Sequence, residues 1–142
     1  MRATVSEMRP KALVVEDEAV TRTLLEQLLQ SLDCDVDLAV DGEQALALIL
    51  AHHYDVVLLD IMLPKMSGIE VMEALRRERP RVLDCVIVVT GLDIREIRSL
   101  FPAVHDTLPK PVLPGRLREA VRSCLIRPRT AEMAVDERIT PG

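Results

Sequence analysis

The chain has 142 residues and a formal net charge of −5 at pH 7. That length suits one domain with its own hydrophobic core, and we expect no separate output domain on it. The acidic balance, without a basic stripe interleaved with aromatic residues, argues against direct nucleic-acid binding. No apolar run approaches the roughly 18 residues of a membrane span, and residues 1–10 contain no signal-peptide core, so we expect a cytoplasmic protein.

Five short runs predict five β-strands. Three are continuously apolar and rich in valine, which is typical of parallel strands covered on both faces: residues 12–15, 55–61 and 85–90. The other two, residues 35–40 and 103–108, mix polar and apolar side chains. Such mixing suits the edges of a sheet, where one side is more exposed to water.

Helical patterns separate these runs. Apolar residues three or four positions apart predict one buried face on each of five helices. The third helix is expected to begin at Ser67, which has capping-box spacing with Glu70, and to end before Pro80. The apolar positions are Val20, Leu24, Leu25, Leu28 and Leu32; Ala45, Leu46, Ile49 and Leu50; Val71, Met72 and Leu75; Ile94, Ile97 and Leu100; and Leu117, Val121, Cys124 and Leu125.

Strict alternation of strand and helix predicts an α/β fold. Right-handed crossovers would place helices on both faces of a five-stranded, doubly wound parallel sheet. With the two mixed strands outside, the natural strand order is 2-1-3-4-5. We expect a folded domain over residues 11–126, an N-terminal extension over residues 1–10 and a flexible tail over residues 127–142.

Polar side chains follow four of the predicted strands. Glu16 and Asp17 end the first, Asp60 the third, Thr90 the fourth and Lys110 the fifth. Ligands of open α/β sheets bind beyond these carboxyl ends, so the residues should share one pocket. Three converging carboxylates repel each other unless one is protonated or a cation neutralises them. Oxygen ligands without His or Cys favour a hard cation, and so sparse a set suits magnesium better than calcium.

These groups match the requirements of phosphoryl transfer. Lys110 can bind an anionic group, Thr90 can donate a hydrogen bond, and magnesium can neutralise the negative charge on the phosphoryl oxygens. Asp60 would be the acceptor, as a carboxylate of the kind that forms aspartyl phosphates. The plain alternative is that Asp60 only caps a helix or solvates a strand end, but four matched strand ends make coincidence a poor explanation.

The motifs together resemble the receiver domain of two-component response regulators. They are VVEDE at 14–18, DIMLPKMSG at 60–68, VVTG at 88–91 and LPKP at 108–111. The resemblance covers about residues 11–126 and implies the flavodoxin-like (βα)5 receiver fold. Only the joint pattern is specific, because no single motif identifies the family.

The resemblance also implies roles for individual residues. Asp60 would be the phosphoacceptor and, with Asp17, a direct magnesium ligand. Glu16 would assist through water, and the backbone carbonyl of Met62 would be a further ligand. Thr90 resembles the switch hydroxyl and Lys110 its partner. Pro111 would follow a cis peptide bond.

One position departs from the family pattern. Receivers usually carry Tyr or Phe three residues before the lysine, where its rotation reports phosphorylation to the surface of helix four, strand five and helix five. Here that residue is Thr107. The phosphorylation chemistry should be unaffected, but aromatic gating is not available in its usual form.

The leading hypothesis is a signalling switch rather than a metabolic enzyme. A histidine kinase or phosphotransfer protein would donate the phosphoryl group, and the changed surface would bind a downstream protein or form a homodimer through helix four, strand five and helix five. Thr107 keeps open the alternative of a phosphate-independent interaction module. A receiver excised from a larger regulator or hybrid kinase is a further alternative. A nucleotide enzyme is disfavoured, because neither a Walker loop nor G-x-G-x-x-G follows the first strand.

Overall fold

The computed structural model describes residues 9–127. The predictions of an N-terminal extension over residues 1–10 and a flexible tail over residues 127–142 therefore lie almost entirely outside the described residues. In the described part of the chain, no helix is long and apolar enough to cross a membrane.

Five parallel strands form one sheet in the order β2-β1-β3-β4-β5, which confirms the predicted topology. The central strands β3 and β4 are buried along their whole length, as their valine-rich sequences predict. The edge strand β2 is mostly half-exposed. The strands are β1 Lys11–Val15, β2 Asp35–Ala39, β3 Val56–Asp60, β4 Val86–Thr90 and β5 Asp106–Pro109.

Strand β5 starts later than predicted. The sequence favoured residues 103–108, but the strand runs from Asp106 to Pro109. Its last residue pairs with Thr90, the last residue of β4. This register places Lys110 immediately beyond the sheet, on the same edge as the ends of β1, β3 and β4.

Five α-helices cover the sheet, as predicted. A capping box starts α3: Ser67 accepts from the Glu70 amide, and the Glu70 carboxylate accepts from the Ser67 amide. A 3₁₀ helix at Pro80–Cys85, which the sequence analysis missed, follows α3. The helices are α1 Ala19–Ser31, α2 Gly42–Ala51, α3 Gly68–Glu78, α4 Ile94–Leu100 and α5 Pro114–Leu125.

The predicted buried face of α1 was partly wrong. Val20 and Leu24 are 66% and 60% exposed, whereas Leu25 and Leu29 are buried. The helix has two apolar rows at i, i+4 spacing, and periodicity alone does not say which row faces the sheet. Leu24 instead lines an apolar groove of about 570 Å³ between α1 and α5, next to Lys110.

Candidate functional site

The carboxyl edge of the sheet brings the predicted polar residues together. The carboxylate oxygens of Glu16, Asp17 and Asp60 lie within 4.8 Å of one another. Glu16 and Asp60 are buried, whereas Asp17 is exposed. This convergence confirms the prediction that three carboxylates from two strand ends share one pocket.

Lys110 bridges two of these carboxylates. Its Nζ donates to Asp60 Oδ2 at 3.0 Å and to Glu16 Oε1 at 3.1 Å. Burial alone would lower the pKa of Lys110, but the hydrogen bonds to Asp60 and Glu16 outweigh burial and raise the pKa above its ordinary value. The lysine is therefore a cation that compensates two buried acids.

Glu16 uses both of its carboxylate oxygens within the protein. One oxygen accepts from Lys110, and the other accepts from the backbone N–H of Glu18 at 3.1 Å. Burial raises the pKa of Glu16 above its usual range, although both hydrogen bonds oppose that effect. Both carboxylate oxygens of Glu16 are therefore hydrogen-bonded within the protein.

Asp60 is hydrogen-bonded at its carboxylate and closely packed at its main chain. Its Oδ1 accepts from the backbone N–H of Met62 at 3.3 Å. Gly68 packs against the strand end so closely that a Cβ there would lie 2.4 Å from the Asp60 carbonyl oxygen, and its N–H donates to Ile61 O at 2.9 Å. The glycine that the sequence analysis read as part of a family motif is therefore required for this close approach.

Asp17 is held differently. Among residues 9–127, no hydrogen bond or ion pair reaches its carboxylate. Its carbonyl oxygen instead accepts from Arg22 Nη1 at 3.2 Å, and the same nitrogen donates to Glu16 O at 3.1 Å. Sequence analysis missed Arg22, and no local motif signals a contact between a helical side chain and the preceding loop.

Thr90 is fully buried at the end of β4. Its hydroxyl oxygen accepts from the Leu92 N–H at 3.0 Å, and its carbonyl accepts from the Lys110 N–H at 2.8 Å. The following Lys110–Pro111 peptide bond is cis, as the resemblance implied. The ends of β4 and β5 are thus joined beside the acidic cluster.

Thr107 is also fully buried, and its hydroxyl has no hydrogen-bond partner in the described structure. It pairs with Val88, two residues before Thr90, so both threonines lie on the same face of the sheet. Its carbonyl accepts from Arg98 Nη2 of α4 at 3.1 Å.

Asp106 links three elements of the same surface. Its carboxylate lies 3.8 Å from Arg98 of α4 and 3.1 Å from Arg116 of α5. It also accepts from the Thr107 N–H at 2.8 Å. The surface of α4, β5 and α5 is therefore joined by ion pairs within the chain.

The donor set fits a hard divalent cation. The acidic cluster offers only oxygen atoms, and the three cysteines are buried thiols outside it. Carboxylates in an incomplete ligand shell suit magnesium, which keeps several waters. The residues present therefore fit a magnesium ion, with Asp17 as the most accessible carboxylate.

Comparison with known proteins agrees with this geometry. The family model described as the response regulator receiver domain matches residues 12–122. A probable transcriptional regulator, ycf27, of Porphyridium aerugineum is 35% identical over 119 residues, which cover 84% of this chain and 49% of that protein. The chain thus spans about half the length of this relative.

Solved structures are similar over the same region. The receiver domain of a Francisella response regulator is 30% identical with a TM-score of 0.76, covering 84% of this chain and 98% of that one. The receiver domain of a sensor histidine kinase from Pseudomonas aeruginosa PAO1 has a magnesium ion coordinated in its active-site cleft; it is 29% identical with a TM-score of 0.73, covering 82% and 98%. The chain belongs to the family of response regulator receiver domains.

Proposed function

We propose that this receiver accepts a phosphoryl group on Asp60 in a magnesium-dependent reaction. The observation that carries the proposal is the Lys110 ammonium, 3.0 Å from Asp60 and 3.1 Å from Glu16, beside the carboxylate of Asp17. A carboxylate nucleophile thus lies between a fixed cation and an oxygen-rich set of metal ligands, at the edge of the sheet where ligands bind.

The chain's own residues account for the transfer. An oxygen of Asp60 attacks the phosphorus of a phosphohistidine donor, so that an O–P bond forms while the N–P bond breaks and its electron pair stays on the imidazole nitrogen. Lys110 then balances charge on the phosphoryl oxygens. The Thr90 hydroxyl can donate to one of those oxygens.

The proposed metal ligands are the carboxylates of Asp17 and Asp60 and the backbone carbonyl of Met62. Glu16 would act through water, as the resemblance to receiver domains implies. When bound, magnesium would neutralise charge on the carboxylates and on the transferring phosphoryl group. The magnesium ion in the cleft of the Pseudomonas aeruginosa receiver supports this assignment.

Phosphoryl uptake can be measured by intact-protein mass after incubation with magnesium and acetyl phosphate. The wild type should gain one phosphoryl group, and Asp60→Asn should gain none. Asp33→Asn is a matched control, because Asp33 is exposed and has a φ of 66°, which asparagine tolerates. The proposal fails if the wild type gains no phosphoryl group or if Asp60→Asn gains as much as the wild type.

The proposed partners are a sensor histidine kinase or histidine phosphotransfer protein as donor and a downstream protein as target. The domain would act as a signalling switch that assists its own phosphorylation and dephosphorylation. Homodimerisation through α4, β5 and α5 is a further expectation, which light scattering with and without phosphorylation would test. The cytoplasmic location stays a prediction from the sequence.

A phosphate-independent interaction module is the second candidate. Thr107 favours it, because a buried threonine stands where the family usually has an aromatic switch residue. Partner binding that is unchanged by Asp60→Asn would support this candidate. The leading chemistry would serve equally in a receiver excised from a larger regulator or hybrid kinase.

A further inference from the structure

The three carboxylates of the acidic cluster are not held equally. Glu16 and Asp60 each accept hydrogen bonds at both carboxylate oxygens. The Asp17 carboxylate has no such contact among the described residues, although its oxygen lies within 4.8 Å of the other two acids. Its position therefore depends on the main chain that carries it, against the repulsion of two neighbouring carboxylates.

Arg22 holds that main chain. Its Nη1 donates to the carbonyl oxygens of Glu16 and Asp17, at 3.1 and 3.2 Å, and so fixes two consecutive peptide groups of the loop between β1 and α1. Hydrogen bonds from a guanidinium are charge-assisted and stronger than those between neutral groups. The side chain is partly buried, which limits its freedom to leave the loop.

The helix dipole does not explain the location of this arginine. Arg22 is the fourth residue of α1, near the N-terminus, where the helix dipole favours anions over cations. The cap of α1 is provided separately by the Glu18 carboxylate, which accepts from the amides of Val20 and Thr21. Both hydrogen bonds that the Arg22 guanidinium donates are directed back to the loop of the acidic cluster.

We propose that Arg22 is a positioning residue for magnesium, which orients the Asp17 carboxylate into the pocket by fixing the carbonyls of Glu16 and Asp17. This inference rests on the proposed function and deepens it. Arg22 itself touches neither the metal nor the phosphoryl group. Its loss should therefore weaken magnesium binding while leaving the transfer step intact once the site is saturated.

The test compares wild type with Arg22→Ala, Arg22→Lys and Arg77→Ala, the last being an exposed arginine of α3. Magnesium affinity is measured by isothermal titration calorimetry, because the chain has no tryptophan to report binding by fluorescence. Arg22→Ala should bind magnesium about tenfold more weakly, the loss expected when a hydrogen bond from a charged donor is removed. Arg22→Lys should recover part of the affinity, since lysine keeps the charge without the planar fork, and Arg77→Ala should match the wild type.

Rates of phosphorylation by acetyl phosphate across a magnesium titration separate positioning from catalysis. Arg22→Ala should need more magnesium but reach a maximal rate within about twofold of the wild type. Unchanged magnesium affinity in Arg22→Ala, or a maximal rate at saturating magnesium well below half that of the wild type, would overturn the inference. Thermal unfolding without magnesium identifies any variant that fails to fold, in which case Arg22→Lys decides.

The same experiments distinguish this failure from failure of the proposed function. If wild type binds magnesium but takes up no phosphoryl group, the proposed function is wrong, and the calorimetric comparison still decides the role of Arg22. If wild type binds no magnesium, both are overturned. If wild type does both and Arg22→Ala is indistinguishable from it in magnesium affinity, only the role of Arg22 is wrong.

Discussion

Replacing Thr107 by valine should stabilise the protein. The side chain is fully buried, and its hydroxyl has no hydrogen-bond partner in the described structure. A buried polar group without a partner costs about 1 to 3 kcal/mol of desolvation. Valine keeps the branched shape and removes the hydroxyl, so Thr107→Val should raise the free energy of unfolding by about 1 to 2 kcal/mol.

Thr90 provides a matched control. It is equally buried, one strand away, but its hydroxyl oxygen accepts from the Leu92 N–H at 3.0 Å. Thr90→Val removes that hydrogen bond and should lower the free energy of unfolding by about 1 kcal/mol. The two valine variants therefore remove the same chemical group but should change the free energy of unfolding in opposite directions.

Urea unfolding followed by far-ultraviolet circular dichroism measures both variants. The Thr107→Val midpoint should rise by roughly 0.5 to 1 M with an unchanged slope, given the usual slope for a domain of this size. The Thr90→Val midpoint should fall. A Thr107→Val midpoint equal to or below that of the wild type would mean that the hydroxyl is satisfied in solution and that the reasoning from its burial is wrong.

Three further predictions concern backbone packing, helix docking and the thiols. Gly68→Ala should lower the free energy of unfolding by about 1 to 3 kcal/mol, since its Cβ would lie 2.4 Å from a carbonyl oxygen of β3. Gly115→Ala is the control: its Cβ would have open space around it, so the free energy of unfolding should change by about 0.5 kcal/mol or less. Equal urea midpoints for the two variants would contradict this reasoning. Arg98→Ala should raise amide hydrogen exchange in α4 severalfold, because it loses a hydrogen bond to β5, and Arg95→Ala, an exposed truncation on the same helix, should not. Burial raises the pKa of Cys124 from 9.0 to about 11, so the thiol ionises at lower pH in the unfolded chain than in the folded one. The wild type should therefore lose stability relative to Cys124→Ala as the pH rises from 9 to 11. Stabilities from urea unfolding that stay parallel for the two proteins over that range would refute this prediction.

The sheet was predictable because its signals are local and agree with one another. The valine-rich runs that became β3 and β4 required cover on both faces, and the polar mixtures of β2 and β5 suited the edges. Strand order then followed from the alternation with helices. The convergence of Glu16, Asp17 and Asp60 was a consequence of that topology, because parallel strands end at one edge.

The sequence did not predict contacts that depend on how elements pack. The exposure of Leu24 followed from which of two apolar rows on α1 faces the sheet, a choice made by tertiary packing. The bond from Arg22 to the loop before its own helix requires a side-chain direction that spacing does not encode. The need for Gly68 came from its packing against the end of β3, where an added Cβ would lie 2.4 Å from the Asp60 carbonyl oxygen, rather than from any turn that its neighbours specify.

Thr107 stands where receivers usually have an aromatic residue, so the surface of α4, β5 and α5 has to respond to phosphorylation in another way. Ile97 is the one buried side chain of α4, a helix of seven residues, too short to be stable by itself. The Arg98 guanidinium links the helix to β5, because it donates to the Thr107 carbonyl. The Leu92 amide, two residues before the start of this helix, is held by the Thr90 hydroxyl.

We therefore expect a change at Thr90 to reach α4 through the main chain, with no need for an aromatic side chain to rotate between them. The helix α4 is held by its one buried side chain, Ile97, by the half-exposed Arg98 and by a hydrogen bond from Arg76 to the Leu100 carbonyl. An element anchored this weakly can shift when one hydrogen bond at its N-terminal loop is exchanged. We therefore expect phosphorylation at the acidic cluster to be felt first in the docking of α4 on β5.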